Sequence, residues 1–307
     1  QHYDSLMTNI FYNQFGIEEP KYNLKVGSMS QIDQIANISK GINDILSTSD
    51  ADGVIVYGDT NSTLSAALTS SKLDIPVFHI EAGLRSYNRK MPEEINRVVT
   101  DHLSTLLFCP SDVSVENLKR EGISDSVYNV GDVMYDVFIK LKDKFINSFD
   151  SEFSLLTLHR QENTTSINFK KRIDQISELD ENFIFPAHPR TRKLIDKNNI
   201  NIPKNISIVD PLGWLELMGA IGKARYVVTD SGGIQKEALW SETLCITLRN
   251  ETEWTETVDG GVNVLVDIDS NIETSKLDLS FFKDLKGIYG TGNAAETIVS
   301  RIESYFG

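Results

Sequence analysis

Apolar residues in this chain follow two rhythms. Short runs rich in β-branched and aromatic residues recur at 54–57, 76–80, 106–109 and 127–130, and again at 153–158, 183–185, 206–209, 226–229 and 244–248. Each has the length of a buried strand. Between them apolar residues repeat at helical spacing: Leu6, Ile10, Phe11 and Phe15 near the start, then Ile32, Ile35, Ile38, Ile42 and Leu46 after the capping residue Ser30. Further helices are predicted over 94–103, 113–121 and 294–305, a lysine-rich one over 140–149, and a short strand over 22–26. Strand and helix alternating in this way predict parallel sheets and an α/β fold.

The chain has 307 residues, enough for two domains at roughly 150 residues each. A second strand–helix alternation starts just after the lysine-rich segment. Residues 1–148 are therefore assigned to one Rossmann-like domain and 149–291 to another, with the last helix, in 292–307, joining the first. Every strand exits into polar or ionisable residues, so two doubly wound domains are expected to face each other across a cleft. The chain starts inside a helical segment with no strand before it, and an amino-terminal piece is expected to be absent.

Composition narrows the function classes. A net charge of -14 argues against a nucleic-acid surface, so an anionic ligand would have to be met by local arginines and helix amino termini. No apolar run approaches the ~18 residues of a membrane span, and none resembles a secretory signal. The two cysteines, Cys109 and Cys245, sit in apolar runs and read as buried thiols in a reducing cytoplasm. The five histidines show no metal-ligand spacing, and no metal site is expected.

Candidate chemistry gathers at the strand ends. Asp59 follows the run at 54–57, Glu81 follows 76–80, and Glu93 opens a helix shortly after. Asp59 is either a site carboxylate or a plain turn residue; Glu81, between an apolar run and Ala82-Gly83, is harder to read as structural. In DSGGIQKE, 230–237, a strand stops, glycines let backbone amides approach a ligand, and a helix begins. That arrangement suits a diphosphate, with Glu237 one turn in for the ribose hydroxyls; a glycine turn capped by Ser231 explains it too. Arg249 at a neighbouring strand end adds positive charge, and His188 at another strand mouth reads as a ligand contact or proton shuttle. His159-Arg160 reads as either a ligand contact or an ion-paired loop, while His79 and His102 read as structural.

The motifs GDTNST, HIEAGLRS, MPEEINR, PSDVSVENLKREGI, GDVMYD, LHRQEN, DSGGIQKEA and LRNETEW together resemble the non-hydrolysing UDP-N-acetylglucosamine 2-epimerases, in family order and over essentially the whole chain. The resemblance implies the glycosyltransferase-B architecture and a cytoplasmic homodimer that interconverts UDP-GlcNAc and UDP-ManNAc without NAD or metal. It implies elimination of UDP to 2-acetamidoglucal, then re-addition after C2 is reprotonated from the other face. Asp59, Glu81 and Glu93 match the family's catalytic carboxylates, and His188 its active-site histidine. Ser231, Gly232, Gly233, Glu237 and Arg249 match its UDP-binding positions, while Arg85, Arg97, His159 and Arg160 fall in matching motifs and are expected to bind substrate. Trp254 stands where many bacterial members have arginine, which brings in relatives acting on UDP-2,3-diacetamido glucuronates as an alternative. Asp4 differs from the glutamine expected near the allosteric site, so that regulation is not predicted. A UDP-sugar glycosyltransferase or a non-catalytic UDP-sugar sensor would share the DSGG half but need no acid cluster in the other domain.

Overall fold

The computed structural model describes residues 16–27, 29–160 and 162–307. The helix expected over 1–15, with His2 and Asp4, lies outside the described residues, as does Gln161. The chain divides into two compact units: residues up to Asp136 together with Ile288–Gly307, and Val137–Gly287.

In chain order the first unit holds α1 (Gln31–Leu46), β1 (Val54–Tyr57), α2 (Asn61–Lys72), β2 (Val77–Ile80), α3 (Pro92–Leu103), β3 (Leu106–Cys109), α4 (Asp112–Arg120) and β4 (Val127–Asn129). The division between the units falls within α5 (Val133–Leu141). The second unit holds β5 (Ser154–Thr157), α6 (Ser166–Ser177), β6 (Phe183–Pro186), α7 (Pro189–Lys197), β7 (Ile206–Val209), α8 (Trp214–Ile221), β8 (Tyr226–Thr229), α9 (Gly232–Trp240), β9 (Leu244–Thr247), α10 (Thr255–Asp259) and β10 (Asn263–Leu265). The final helix, α11 (Ala294–Phe306), returns to the first unit.

In the first unit the described strands form a parallel sheet in the order β1-β2-β3-β4. Strands β2 and β3 are buried on both faces, as continuous apolar runs require. The two-residue alternation sorts their side chains. Phe78, Ile80, Leu106 and Phe108 pack with Val130 and Ile298 of α11, while Leu107 and Cys109 pack with Ala82 and Leu118 of α4. Asp136 holds the start of α11, accepting from the amides of Ala294 and Ala295 at 3.1 and 2.8 Å. At the other end of α11, Tyr305 and Phe306 meet the Phe78 ring edge-on.

Two local expectations fail, each for a packing reason. Residues 22–26 form no strand: Lys25 sits at φ 53, and the Leu24 side chain packs on Gly41 of α1 instead of joining a ladder. The lysine-rich helix expected over 140–149 instead ends with α5 at Leu141 and one tight turn over Lys142–Lys144. Beyond it the apolar residues are recruited elsewhere. Phe145 stacks edge-on to Phe138 and Trp214, and the Ile146 backbone crosses α8 so closely that a Cβ on Gly219 would lie 2.0 Å from its carbonyl oxygen.

The second unit holds a six-stranded parallel sheet in the order β10-β9-β8-β5-β6-β7. From β5 the chain winds outward through β6 and β7, returns to β8 on the other side of β5, and continues to β9 and β10. This is the doubly wound Rossmann order, and its winding reverses between β5 and β8. Phe169, Ile173 and Ile176 of α6 close one face against Leu156, Phe183 and Phe185.

Because α11 supplies the apolar cover of β2 and β3, Ile298→Ala should destabilise the first unit by about 2–5 kcal/mol. Urea unfolding of the full chain should show the corresponding transition at lower denaturant, with the transition of the second unit unmoved.

Candidate functional site

Both turns that carry the first unit's carboxylates are tied down from below. After β1 the chain turns through Gly58 and Asp59 into α2, whose cap Thr60 accepts from the Thr63 amide while the Thr63 hydroxyl bonds back to the Tyr57 carbonyl at 2.6 Å. After β2, Glu81 occupies the left-handed region at φ 72, which costs a residue other than glycine about 1–3 kcal/mol. It is held there because the amides of Glu81 and Ala82 both donate to the Phe108 carbonyl, at 3.1 and 3.0 Å. One carboxylate oxygen of Glu81 lies 3.3 Å from where a Cβ on Gly58 would stand, so the two turns adjoin. Gly83 follows at φ +79, where a Cβ would be 2.3 Å from the Ser114 carbonyl oxygen; no other residue fits.

Helix α3 braces these turns from the side. Pro92 opens it and Glu93 and Glu94 sit in its first turn, where negative charge complements the helix dipole. Buried Arg97 donates to Asp59 at 2.6 Å and reaches Glu94 at 3.3 Å. Asn96 holds the Asp59 carbonyl at 2.9 Å. The Glu94 carboxylate accepts from the Ser86 amide and hydroxyl and from the Tyr87 amide, all at 2.8–2.9 Å. Glu93, one residue earlier, is partly exposed.

Arg85, expected to bind substrate, turns its guanidinium inward. It bonds Asp101 and the Leu84 carbonyl at 2.7 Å each and grips both Glu121 oxygens at 2.7 Å, with 1% of its side chain exposed. Its visible work is to fix the Glu81–Ser86 loop to α3 and α4. Asp101 also accepts from the Gly83 amide at 3.2 Å and from His79 Nδ1 at 2.7 Å. Burial alone would raise the Asp101 carboxyl, but the charges and hydrogen bonds of His79 and Arg85 outweigh it and hold it below the ordinary value. Sequence reasoning reads His79 as structural and does not single out Asp101. Their visible signals were a histidine inside an otherwise apolar strand and an aspartate among buried helix positions.

In the second unit His159, Arg160, Asp230 and Ser231 stand at the exits of β5 and β8, where the winding reverses, with His188 after β6 and Arg249 after β9. Asp230, at the end of β8, is fully buried and accepts from the His159 and Arg160 amides at 3.1 and 3.0 Å, from Asn163 at 3.1 Å and from His159 Nδ1 at 3.0 Å. Burial would raise this carboxyl, yet the bonds from His159, the Arg160 amide and Asn163 pull it below the usual range. Asp230 thus ties the β5 exit, which carries His159 and Arg160, to the β8 exit, which carries Ser231. In the sequence it stands out only as the first residue of the DSGGIQKE motif.

Ser231 stands at the cap of α9 but its side chain makes no cap bond, and a Cβ on Gly233 would meet nothing within 4 Å. A Cβ on Gly232, by contrast, would lie 2.5 Å from a Glu253 carboxylate oxygen, so the terminus is open on the Gly233 side, and an open helix amino terminus favours an anion. Glu237, one turn further on and buried, accepts from the Trp214 indole at 2.9 Å. Arg249 is buried; its Nη2 pairs with Glu253 at 3.0 Å and its Nη1 has no hydrogen-bond partner among the described residues. Lys236 lies 3.9 Å over the Trp254 ring. His188 caps α7, its Nδ1 accepting the Arg190 amide at 3.2 Å, so the neutral ring carries its proton on Nε2. Among the described residues no group of His, Cys, Asp and Glu side chains is placed to hold a metal ion, and no helix is long and apolar enough to cross a membrane.

Residues 1–303 match the family model described as UDP-N-acetylglucosamine 2-epimerase. The chain belongs to this family. It is an isomerase family, and it sets the enzyme class. The chain is 44% identical to the UDP-N-acetylglucosamine 2-epimerase homolog of Methanococcus maripaludis, the alignment covering 97% of this chain and 88% of that one. It is 39% identical to the UDP-2,3-diacetamido-2,3-dideoxy-D-glucuronate 2-epimerase of Pseudomonas aeruginosa, over 99% of this chain and 88% of that one. Among solved structures, the UDP-GlcNAc 2-epimerase of Methanocaldococcus jannaschii in complex with UDP-GlcNAc and UDP superposes with a TM-score of 0.85 at 38% identity, covering 99% of this chain and 90% of that one. A likeness of fold alone extends to the glycotransferase of kitacinnamycin, at 11% identity and a TM-score of 0.56. The fold class expected for this epimerase family, two Rossmann-like units of the glycosyltransferase-B type, is the one present.

Asp230 should make the acid limb of stability steeper. Its carboxyl is depressed in the folded chain, so its contribution is complete above the ordinary value of 3.8 and is lost as pH falls through the lower folded value. Asp230→Asn should cost about 1–3 kcal/mol at neutral pH and flatten that limb, measured by urea unfolding across the acid range.

Proposed function

We propose that the protein inverts C2 of a UDP-2-acetamido sugar, converting UDP-GlcNAc to UDP-ManNAc in the supply of polysaccharide precursors. A base removes the C2 proton, the C1–O bond to UDP breaks, and its electrons leave with the diphosphate as the C1=C2 bond of 2-acetamidoglucal forms. The β-phosphate oxygen then re-adds to C1 while C2 takes a proton on its opposite face. The observation that carries this reading is the pair of adjoining turns in the first unit, each of which ends a strand on a carboxylate. Proton removal and return on opposite faces of one carbon need more than one ionisable group, and Asp59, Glu81 and Glu93 supply them.

Each remaining residue has a chemical task. The open amino terminus of α9, through Ser231, Gly232 and Gly233, receives the diphosphate, and Arg249 Nη1 adds a charged donor. Glu237, steadied by Trp214, accepts the ribose hydroxyls. His188 offers its Nε2 proton to the leaving phosphate, beside His159 and Arg160. Arg97 aims Asp59, and Arg85 holds the loop that presents Glu81. The proposal includes a homodimer in the cytoplasm, which light scattering on the purified chain tests for its oligomeric part.

A second reading, C2 inversion of UDP-2,3-diacetamido-2,3-dideoxyglucuronate, is favoured by the 39% identity to the Pseudomonas aeruginosa enzyme and by Trp254 at its buried position. It keeps the chemistry and changes only the sugar.

Incubation with UDP-GlcNAc in deuterated water should place deuterium at C2 as UDP-ManNAc appears, followed by proton NMR. Exchange confined to the diacetamido glucuronate would select the second reading, and UDP binding without exchange of either sugar would refute both. Asp59→Asn and Glu81→Gln should each slow exchange by about 100-fold or more. Arg249→Met should instead weaken UDP binding by about 10- to 100-fold, the worth of a hydrogen bond to a charged group.

A further inference from the structure

Both ring nitrogens of buried His79 face acceptors. Its ring is wholly enclosed in β2, with Nδ1 2.7 Å from Oδ1 of Asp101 and Nε2 2.8 Å from the carbonyl oxygen of Gly58. A neutral imidazole carries one donor and one acceptor, so either tautomer would press a lone pair against one of these oxygens. Two protonation patterns resolve the conflict: an imidazolium beside a carboxylate, or a neutral ring beside a protonated Asp101. The surroundings of Asp101 select between them. Its other oxygen accepts from the Gly83 amide at 3.2 Å and from the Arg85 guanidinium at 2.7 Å, and a carboxyl that already meets a permanent cation and a second donor stays ionised.

We propose that His79 is an imidazolium at neutral pH and a positioning residue for the C2 chemistry, its Nε2–H fixing the Gly58 carbonyl and hence the turn that presents Asp59, its charge lying beneath Glu81. The catalytic half of this proposal rests on the function proposed above; the charge state does not.

The groups acting on the ring directly, Asp101, the Gly58 carbonyl and Glu81, fit this assignment, as do the charged groups linked to them. From α3 comes Asp101, and from the turn after β1 come the Gly58 carbonyl and Asp59, itself paired with Arg97. From the loop after β2 come Glu81 and Arg85, the latter held in turn by Glu121 of the α4 terminus, which also lies 3.5 Å from His102. From β3 comes the Cys109 thiol, which burial pushes up and keeps neutral. The formal charges alternate: His79 positive, Asp101 negative, Arg85 positive, Glu121 negative. Burial by itself would lower the His79 value, but Asp101, the Gly58 carbonyl and Glu81 together raise it above 6.5. The stability it contributes is therefore present in full below 6.5 and is lost only as pH rises through the higher folded value.

The test begins with the full chain labelled with ¹⁵N-histidine, its ring nitrogens followed by long-range ¹H–¹⁵N spectra across about pH 6 to 9, which brackets the ordinary imidazole range. His79 is assigned by the signals lost in His79→Gln. Both of its nitrogens should be protonated and unchanged where an ordinary imidazole titrates. One unprotonated nitrogen at neutral pH would overturn the assignment, and this arm uses only the unaltered protein. In the deuterium-exchange assay, His79→Gln should lower kcat by about 100-fold, the cost of a misplaced catalytic group, with KM and UDP affinity nearly unchanged. An unchanged kcat in a folded variant, or a rise confined to KM, would overturn the positioning role. If the unaltered chain exchanges neither sugar, the catalytic role falls with the function, and the spectra still decide the charge.

Discussion

Asp101 is the carboxylate on which the first unit's candidate chemistry depends. It has no solvent around it and bonds His79, Arg85 and the Gly83 amide at once. Through His79 it reaches the turn after β1, and through Gly83 and Arg85 it fixes the loop after β2. A lone buried carboxylate would be expensive, and so would either cation; together they compensate, and each makes the others tolerable. The strained backbone of Glu81 is affordable in this setting because the loop on either side of it has nowhere else to go.

The second unit solves a parallel problem with the same device. At a topological switch point two strands exit side by side and their following loops diverge, which opens a crevice but leaves both loops without a ladder to hold them. Asp230 closes that gap, taking both amides of the β5 exit and the Asn163 side chain into one carboxylate. Asn163 passes the constraint on to Arg172 and the Leu248 carbonyl, so the exit of β9 is tied in as well. One buried acid thus sets the spacing of three strand ends.

How much of this was legible in the sequence depends on the kind of signal. Apolar runs ending in Asp59, Glu81, Asp230 and Arg249 predict parallel strands with polar exits, and every one of those strands is present; β2, β8 and β9 are buried on both faces and have little choice of residues, while β1 is carried by its β-branched residues with Ile55 and Tyr57 exposed. Capping was legible at Ser30, which accepts the Asp33 amide. Residues 22–26 and 140–149 misled because their local periodicity was real but Leu24 and Phe145 spend it on other partners. Arg85 differs in another way: a motif shows an arginine, not whether its guanidinium faces a ligand or, as here, buried Asp101 and half-buried Glu121. His79 and Asp101 are separated by most of a strand–loop–helix unit, and nothing local marks them as a pair. Only the register of β2 beside β1 and the pitch of α3 bring them together.

The charge of the whole chain makes the second unit's donors more telling. At a net charge of -14 the field works against an anionic nucleotide sugar, so attraction must come from a few oriented groups. The fold provides them at a cost. Ser231 leaves the first turn of α9 without a side-chain cap, and Arg249 keeps Nη1 buried with no acceptor among the described residues. An unmet buried donor costs about 1–3 kcal/mol, and a charged one more. A chain selected for stability alone would have capped that helix and paired that nitrogen. Glu253, which pairs with Arg249 Nη2 and packs against Gly232, already sets one negative charge between these two groups, and the proposed diphosphate would have to share them with it.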